Sequence, residues 1–128
     1  MTSSSPTIGP FAASIFAVVL SIPHVASAET VVVKYRGAVD LKPFKCETIY
    51  QSSVVKRLCY DAKEEYVLVS LNGTYYHYCE VPAYVVSGWR ASNSMGDYFN
   101  KNVKGHFDCR VNRVPAYAGE RPRGEVKR

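Results

Sequence analysis

Tyr66–Cys79 reads YVLVSLNGTYYHYC, and the Asn72-Gly73 pair at its centre decides the fold. Two apolar runs separated by Asn-Gly make a two-residue hairpin, because both turn positions need positive φ and these residues tolerate it best. The turn sets the register: Leu71 stands opposite Thr74, Val69 opposite Tyr76 and Val67 opposite Tyr78. Directly opposed residues share a face, so Val67, Val69, Leu71, Tyr76 and Tyr78 make one apolar, aromatic face. Tyr66, Leu68, Ser70, Tyr75, His77 and Cys79 make the other. The first face is the expected core. Tyr66 and Leu68 indicate that the second is partly covered too.

Working back from the hairpin, Val54–Tyr60 reads as a strand stopped by the polar turn Asp61-Ala62-Lys63-Glu64. Cys46–Tyr50 is a shorter strand. Thr30–Arg36, TVVVKYR, is a β-branched strand ended by Gly37, and Asp40–Phe44, with Pro43, is a connection. Working forward, two helices are expected. Pro82 suits a first helical position, and Val85 and Trp89 then share a side. Ser94 is placed as an N-cap with Asp97 three residues on, close to a capping box. Met95, Phe99 and Val103 recur every four residues and predict a buried stripe. Gly105 ends that helix, with Lys101 and Lys104 pointing outward where cations suit the helix dipole. The expected fold is α+β: a small antiparallel β-meander of three core strands plus N-terminal extension strands, followed by two short helices packed on one face.

The start of the chain predicts export. Phe11–Ile22, FAASIFAVVLSI, has the length of a signal-peptide core and is short for a bilayer span. Pro23 breaks it, and Ala26-Ser27-Ala28 offers small residues where a signal peptidase reads; no Lys or Arg precedes the run. Cleavage after Ala28 leaves 29–128, the size of one domain. The leader holds no charged side chain, so the formal charge of +5 rests on the mature chain. No later segment is long and apolar enough for stable membrane insertion. A secreted or periplasmic location is expected.

All four cysteines, Cys46, Cys59, Cys79 and Cys109, lie beyond the leader. In an oxidising compartment they predict two disulfides, with three connectivities open. No C-x-x-C pair is present, and His77 and His106 stand apart, so neither a metal site nor a cofactor is expected.

The stretches SSVVKRLCYD (Ser52–Asp61), Tyr76-His77-Tyr78 and Val81-Pro82 follow in order, then Ser94, Gly96, Tyr98-Phe99-Asn100, Val103-Lys104 and Phe107. This succession resembles the KTSC domain, named for its occurrence at the C-terminus of some lysyl-tRNA synthetases and also found alone in bacterial proteins. The resemblance covers Val54 to Val111. It implies a short β-meander followed by helices, with Tyr76, Tyr78, Phe99 and Asn100 as core motif positions. It implies no activity; RNA binding has been suggested for the family. The leader, the extension before Tyr50 and the cysteines depart from the family pattern. The organisation expected is a signal peptide (1–28), an extension with short strands (29–53), a KTSC-like domain (54–113) and a flexible basic tail (114–128). In the sequential meander that the resemblance implies, a strand separates Cys59 from Cys79, about 10 Å on ordinary strand spacing. That exceeds disulfide reach. The pairing favoured is Cys46–Cys59 with Cys79–Cys109, a tight turn at Ser52-Ser53 placing Cys46 opposite Cys59.

Three chemical readings follow. Tyr75, Tyr76, His77 and Tyr78 are a candidate base-stacking surface, set against a core role for Tyr76 and Tyr78. His77 is a candidate general base for a hydrolase, but spacing supplies it with no serine or carboxylate. His106 reads as a capping or solvated residue. Lys101, Lys104, Arg110 and Arg113 are candidates for a surface that attracts a polyanion, such as nucleic acid or an anionic envelope polymer. There is no Gly-rich phosphate loop or recognition-helix pattern. The expectation is a small, non-enzymatic binding or structural module with no catalytic residue and an unidentified partner.

Overall fold

The computed structural model describes residues 17–18 and 29–118. The expected signal peptide and its cleavage site lie outside the described residues, apart from Ala17 and Val18. No described helix is long and apolar enough to cross a membrane.

The hairpin forms as its turn dictates. β5 (Tyr66–Leu71) and β6 (Thr74–Tyr78) pair in the register expected, with Leu71 opposite Thr74 and Val67 opposite Tyr78. Asn72 and Gly73 adopt φ of 51° and 93°. β4 (Val55–Asp61) runs antiparallel beside β5, and β3 (Lys45–Thr48) beside β4. On the far side of the hairpin, β6 meets β1 (Thr30–Val33) in parallel, and β1 turns back into β2 (Gly37–Asp40). The result is a single mixed sheet of order β2-β1-β6-β5-β4-β3, curled into a half-barrel.

This corrects the expected three-strand meander with two helices. The N-terminal strands are not an appendage: β3 closes one side of the sheet, and β1 and β2 close the other. The helical part is smaller than expected. α1 (Ala83–Ala91) has nine residues; α2 (Met95–Tyr98) has four and passes into a π-helical turn, Phe99–Val103. β2 escapes sequence reading because Gly-Ala-Val-Asp carries one buried side chain, Val39. The parallel β1–β6 contact joins segments some forty residues apart, so no local signal announces it.

Two cores explain the extra strands. On one face, Val67 and Val69 pack with Val55, Leu58, Trp89, Phe99 and Val103, and Tyr76 and Tyr78 lie against them. On the other, Tyr66, Leu68, Cys59 and Cys79 pack with Val33, Val39 and Leu41 from the N-terminal strands and with Ala118. Tyr66 and Leu68 are fully buried, so the second face is a true core and needs the extension to cover it. A buried face on each side makes the sheet more β-rich than one-sided alternation implied.

The stripe Met95, Phe99 and Val103 is buried as its spacing predicted. In a pure α-helix, steps of four residues drift by about 40° around the axis. The π turn, marked by the bond from the Lys104 amide to the Phe99 carbonyl (2.8 Å), widens one turn and brings Val103 back into line. The Ser94 side chain caps the start by accepting from the Asp97 amide (3.2 Å). Trp89 is fully buried, and its indole N–H donates to the Met95 carbonyl (3.1 Å), pinning α1 to α2.

Both disulfides sit in the second core, in the favoured pairing. Cys46–Cys59 joins directly opposed residues of β3 and β4. Cys79–Cys109 ties the end of β6 to the segment leaving the π turn. β5 does separate Cys59 from Cys79, as sequential order required.

The expected flexible tail from 114 needs correction at its start. Val114 packs on the second core and Ala118 is buried there. The Arg36 guanidinium donates twice to the Ala118 carbonyl (3.0 and 2.7 Å). The Tyr117 hydroxyl donates to buried Asp61 (2.5 Å), whose other oxygen accepts the Lys63 amide of the β4–β5 turn. Residues 119–128 lie outside the described residues.

Candidate basic groove

β1 and β6 stay together for one residue pair, Val33 with Tyr75. The chain then turns through Lys34, Tyr35 and Arg36, with Tyr35 at φ 68°, and leaves the upper part of β6 uncovered on that edge. From the opposite direction the segment after the π turn arrives, held by the Cys79–Cys109 bridge. Between the two lies a groove of about 690 Å3. Lys34, Tyr35 and Arg36 form one wall, Tyr76, His77 and Tyr78 the floor, and Lys104, Asp108 and Arg110 the other wall.

The groove is positively charged. Among the described residues four cations face one carboxylate, and that carboxylate is already paired: Asp108 accepts from Arg110 at 2.6 Å. The hydrogen bond from Arg110 lowers the Asp108 pKa to about 2, so the pair stays ionised and internally balanced. The Arg36 guanidinium spends its fork on the Ala118 carbonyl. Lys34 lies over two rings, with Nζ 5.3 Å from the Tyr35 centroid and 5.7 Å from that of Tyr76. Lys104 is exposed and has no carboxylate within ion-pair distance among the described residues.

His77 sits at the centre of the floor. The Tyr66 hydroxyl lies 2.8 Å from its Nδ1. Tyr66 is fully buried, and this is the hydroxyl's one bond among the described residues, so it donates and leaves the ring proton on Nε2. Burial first, then the charge of Arg36, lowers the His77 pKa to about 4. Burial also pushes the Tyr66 hydroxyl well above its ordinary value. A ring nitrogen of His77 and the sulfurs of Cys79 and Cys109 lie within 4.8 Å of one another, but the sulfurs are bonded together and offer no thiolate.

Of the expected polyanion residues, the groove gathers Lys104 and Arg110. Lys101 is exposed but outside it. Arg113 is diverted, its guanidinium to Glu64 (2.6 Å) and its amide to Glu80 (2.9 Å). Tyr76 and Tyr78 are half-buried, touching the first core and lining the groove at once. Phe99 is core, but Asn100 is exposed, which corrects its expected core role: it lies in the π turn and points to a small polar cleft against Ser52 and Ser94. His106 accepts the capping role, its ring nitrogen 3.1 Å from the Lys101 carbonyl. Sequence reading missed Lys34, Tyr35 and Arg36. The one available signal is Gly37 directly after a β-branched run with Val39 beyond it, the pattern of a second hairpin.

Fold and groove together define a small, disulfide-braced half-barrel with an open basic cleft. Residues 51–107 match the family model described as KTSC domain, a domain of uncharacterised function. A solved KTSC domain protein from Yersinia pestis is similar at 21% identity and a TM-score of 0.48, covering 51% of this chain and 92% of that one. No curated protein matches the chain. The matched segment supplies β4, β5, β6 and the helices. The groove is therefore a joint product: its floor and Lys104 belong to the matched segment, and Lys34–Arg36 and Asp108–Arg110 lie outside it.

Proposed function

We propose that this protein is an exported, non-enzymatic binding module whose groove takes an anionic chain molecule. The observation that carries the reading is the concentration of Lys34, Arg36, Lys104 and Arg110 around an open strand edge, with Asp108, already paired with Arg110, as the lone acid there among the described residues. Such a cleft focuses positive potential and draws in anions, most strongly at low salt. Export rests on the apolar Phe11–Ile22 run, the Ala26-Ser27-Ala28 site and two disulfides of the kind that persist in oxidising compartments.

The test is binding of labelled poly-glutamate, heparin fragments and a single-stranded oligonucleotide, by fluorescence anisotropy at about 50 mM and about 200 mM salt. At least one is expected to bind with a clear salt dependence. The K34E/K104E double variant should lose about tenfold or more in affinity, because two attractive charges become repulsive. Both side chains project from the surface, so the fold should be unaffected. Absence of binding at low salt, or a double variant that binds as the parent does, overturns the reading.

A further inference from the structure

The groove floor is a strand edge with one residue left unpaired. In a two-residue hairpin Leu71 and Thr74 exchange hydrogen bonds, and bonded pairs then alternate along the ladder at Val69/Tyr76 and Val67/Tyr78. Tyr75, His77 and Cys79 therefore turn their backbone groups to the opposite edge. The Tyr75 carbonyl accepts from the Lys34 amide (2.8 Å), and the Cys79 amide donates to the Phe107 carbonyl (2.9 Å). His77 lies between them. No backbone hydrogen bond from β1 or from the segment after Phe107 reaches its N–H or C=O among the described residues. One donor and one acceptor, without a backbone partner among the described residues, face an open basic groove.

We propose that this gap takes one residue of an extended acidic peptide, laid beside β6 as an added strand. The proposal rests on the anionic-ligand reading and narrows it. A peptide residue running antiparallel to β6 offers an acceptor and a donor that exchange with both groups of His77. A phosphodiester offers acceptors only and would set an oxygen against the His77 carbonyl. The flanking residues of such a peptide reach both walls, where carboxylates meet Lys34 on one side and Lys104 on the other. The rings do not favour stacked bases. Tyr78 is engaged edge-on by Phe99 (5.6 Å between centroids), and Lys34 lies over both Tyr76 and Tyr35, of which Tyr35 alone is exposed. A single exposed ring gives no platform for successive bases.

The experiment uses the full mature chain and a short labelled peptide of mixed Asp, Glu and Ser. It is compared with versions carrying one backbone N-methyl group at each position in turn, and with an oligonucleotide of equal charge. N-methylation removes a single N–H and keeps every charge. Affinity should fall about tenfold or more when the central residue is methylated and little at its immediate neighbours, whose N–H groups face away from β6. Amide exchange at His77 should slow about tenfold or more in the complex. If all methylated peptides bind as the parent does and His77 exchange is unchanged, while K34E/K104E still weakens binding, the added-strand proposal falls and the anionic-ligand reading stands. An oligonucleotide that binds more tightly than the peptide assigns the groove to nucleic acid instead. Loss of all binding overturns both.

Discussion

His77 is held neutral at neutral pH by its surroundings: burial first, then the charge of Arg36, lower its pKa to about 4, against an ordinary value near 6.5. The unfolded chain keeps the ordinary value. Between about pH 6.5 and pH 4 the unfolded state binds the extra proton and the folded state does not, so stability falls as pH falls through that window. The loss is complete below pH 4, where both states are protonated. Allowing for solvent screening at a partly exposed ring, it should amount to about 1–2 kcal/mol. Urea denaturation followed by the single tryptophan, buried Trp89, at pH 7 and pH 4.5 checks this. The H77N variant keeps an acceptor for the Tyr66 hydroxyl and should lose that part of the pH dependence. An unchanged slope in H77N would assign the effect to the carboxylates. Part of His77's position is legible in sequence, since the hairpin register places it opposite Leu68 on the second face. The proximity of Arg36 is not, because it depends on where β1 lands.

At the scale of elements, legibility follows how local each cause is. Asn72-Gly73, Ser94 with Asp97, and the Met95, Phe99, Val103 stripe act within a few residues, and each appears where the sequence places it. The π turn does not announce itself, because it adjusts a helix to a core assembled from distant strands. Gly88 illustrates how such packing overrides local preference. It lies inside α1, where alanine ordinarily gains about 1 kcal/mol over glycine. A Cβ there would meet the Tyr98 hydroxyl at 2.7 Å and its ring carbon at 3.2 Å. Tyr98 cannot easily retreat: its hydroxyl donates to the Val85 carbonyl (2.8 Å), and its ring stacks on Trp89 at 6.3 Å. Overpacking costs about 1–3 kcal/mol. G88A should therefore be destabilising by about 1 kcal/mol in chemical denaturation, despite its better helix propensity. In a Y98A background, where the obstruction is gone, the same change should stabilise. A stabilising G88A in the parent would show that Tyr98 yields freely.

At the scale of the molecule, the cysteines brace the face that local patterning underrates. Alternation sends Cys59 and Cys79 to the side opposite Tyr76 and Tyr78, and that side proves to be the second core. The groove is legible only in part. Lys104 and Arg110 appear in sequence as cations near a helix exit, whereas Lys34 to Arg36 join them through a parallel pairing that no local pattern encodes. The two bridges should accordingly differ in consequence. Cys46–Cys59 spans 13 residues of sequence and Cys79–Cys109 spans 30. By loop-closure entropy they stabilise by about 3 and about 3.7 kcal/mol. C46A/C59A should lose stability and retain binding in the groove, because β3 lies at the far side of the sheet. C79A/C109A should lose somewhat more stability and also its binding, because the bridge anchors the Asp108–Arg110 wall beside β6. Thermal and urea unfolding monitored by Trp89, which reports the first core, measures the stability of each variant; anisotropy with the acidic peptide measures the groove under conditions where both remain folded. Equal binding by the two pairs would show that the wall holds without its bridge, through the Cys79 amide and the Arg36 contact to Ala118 alone.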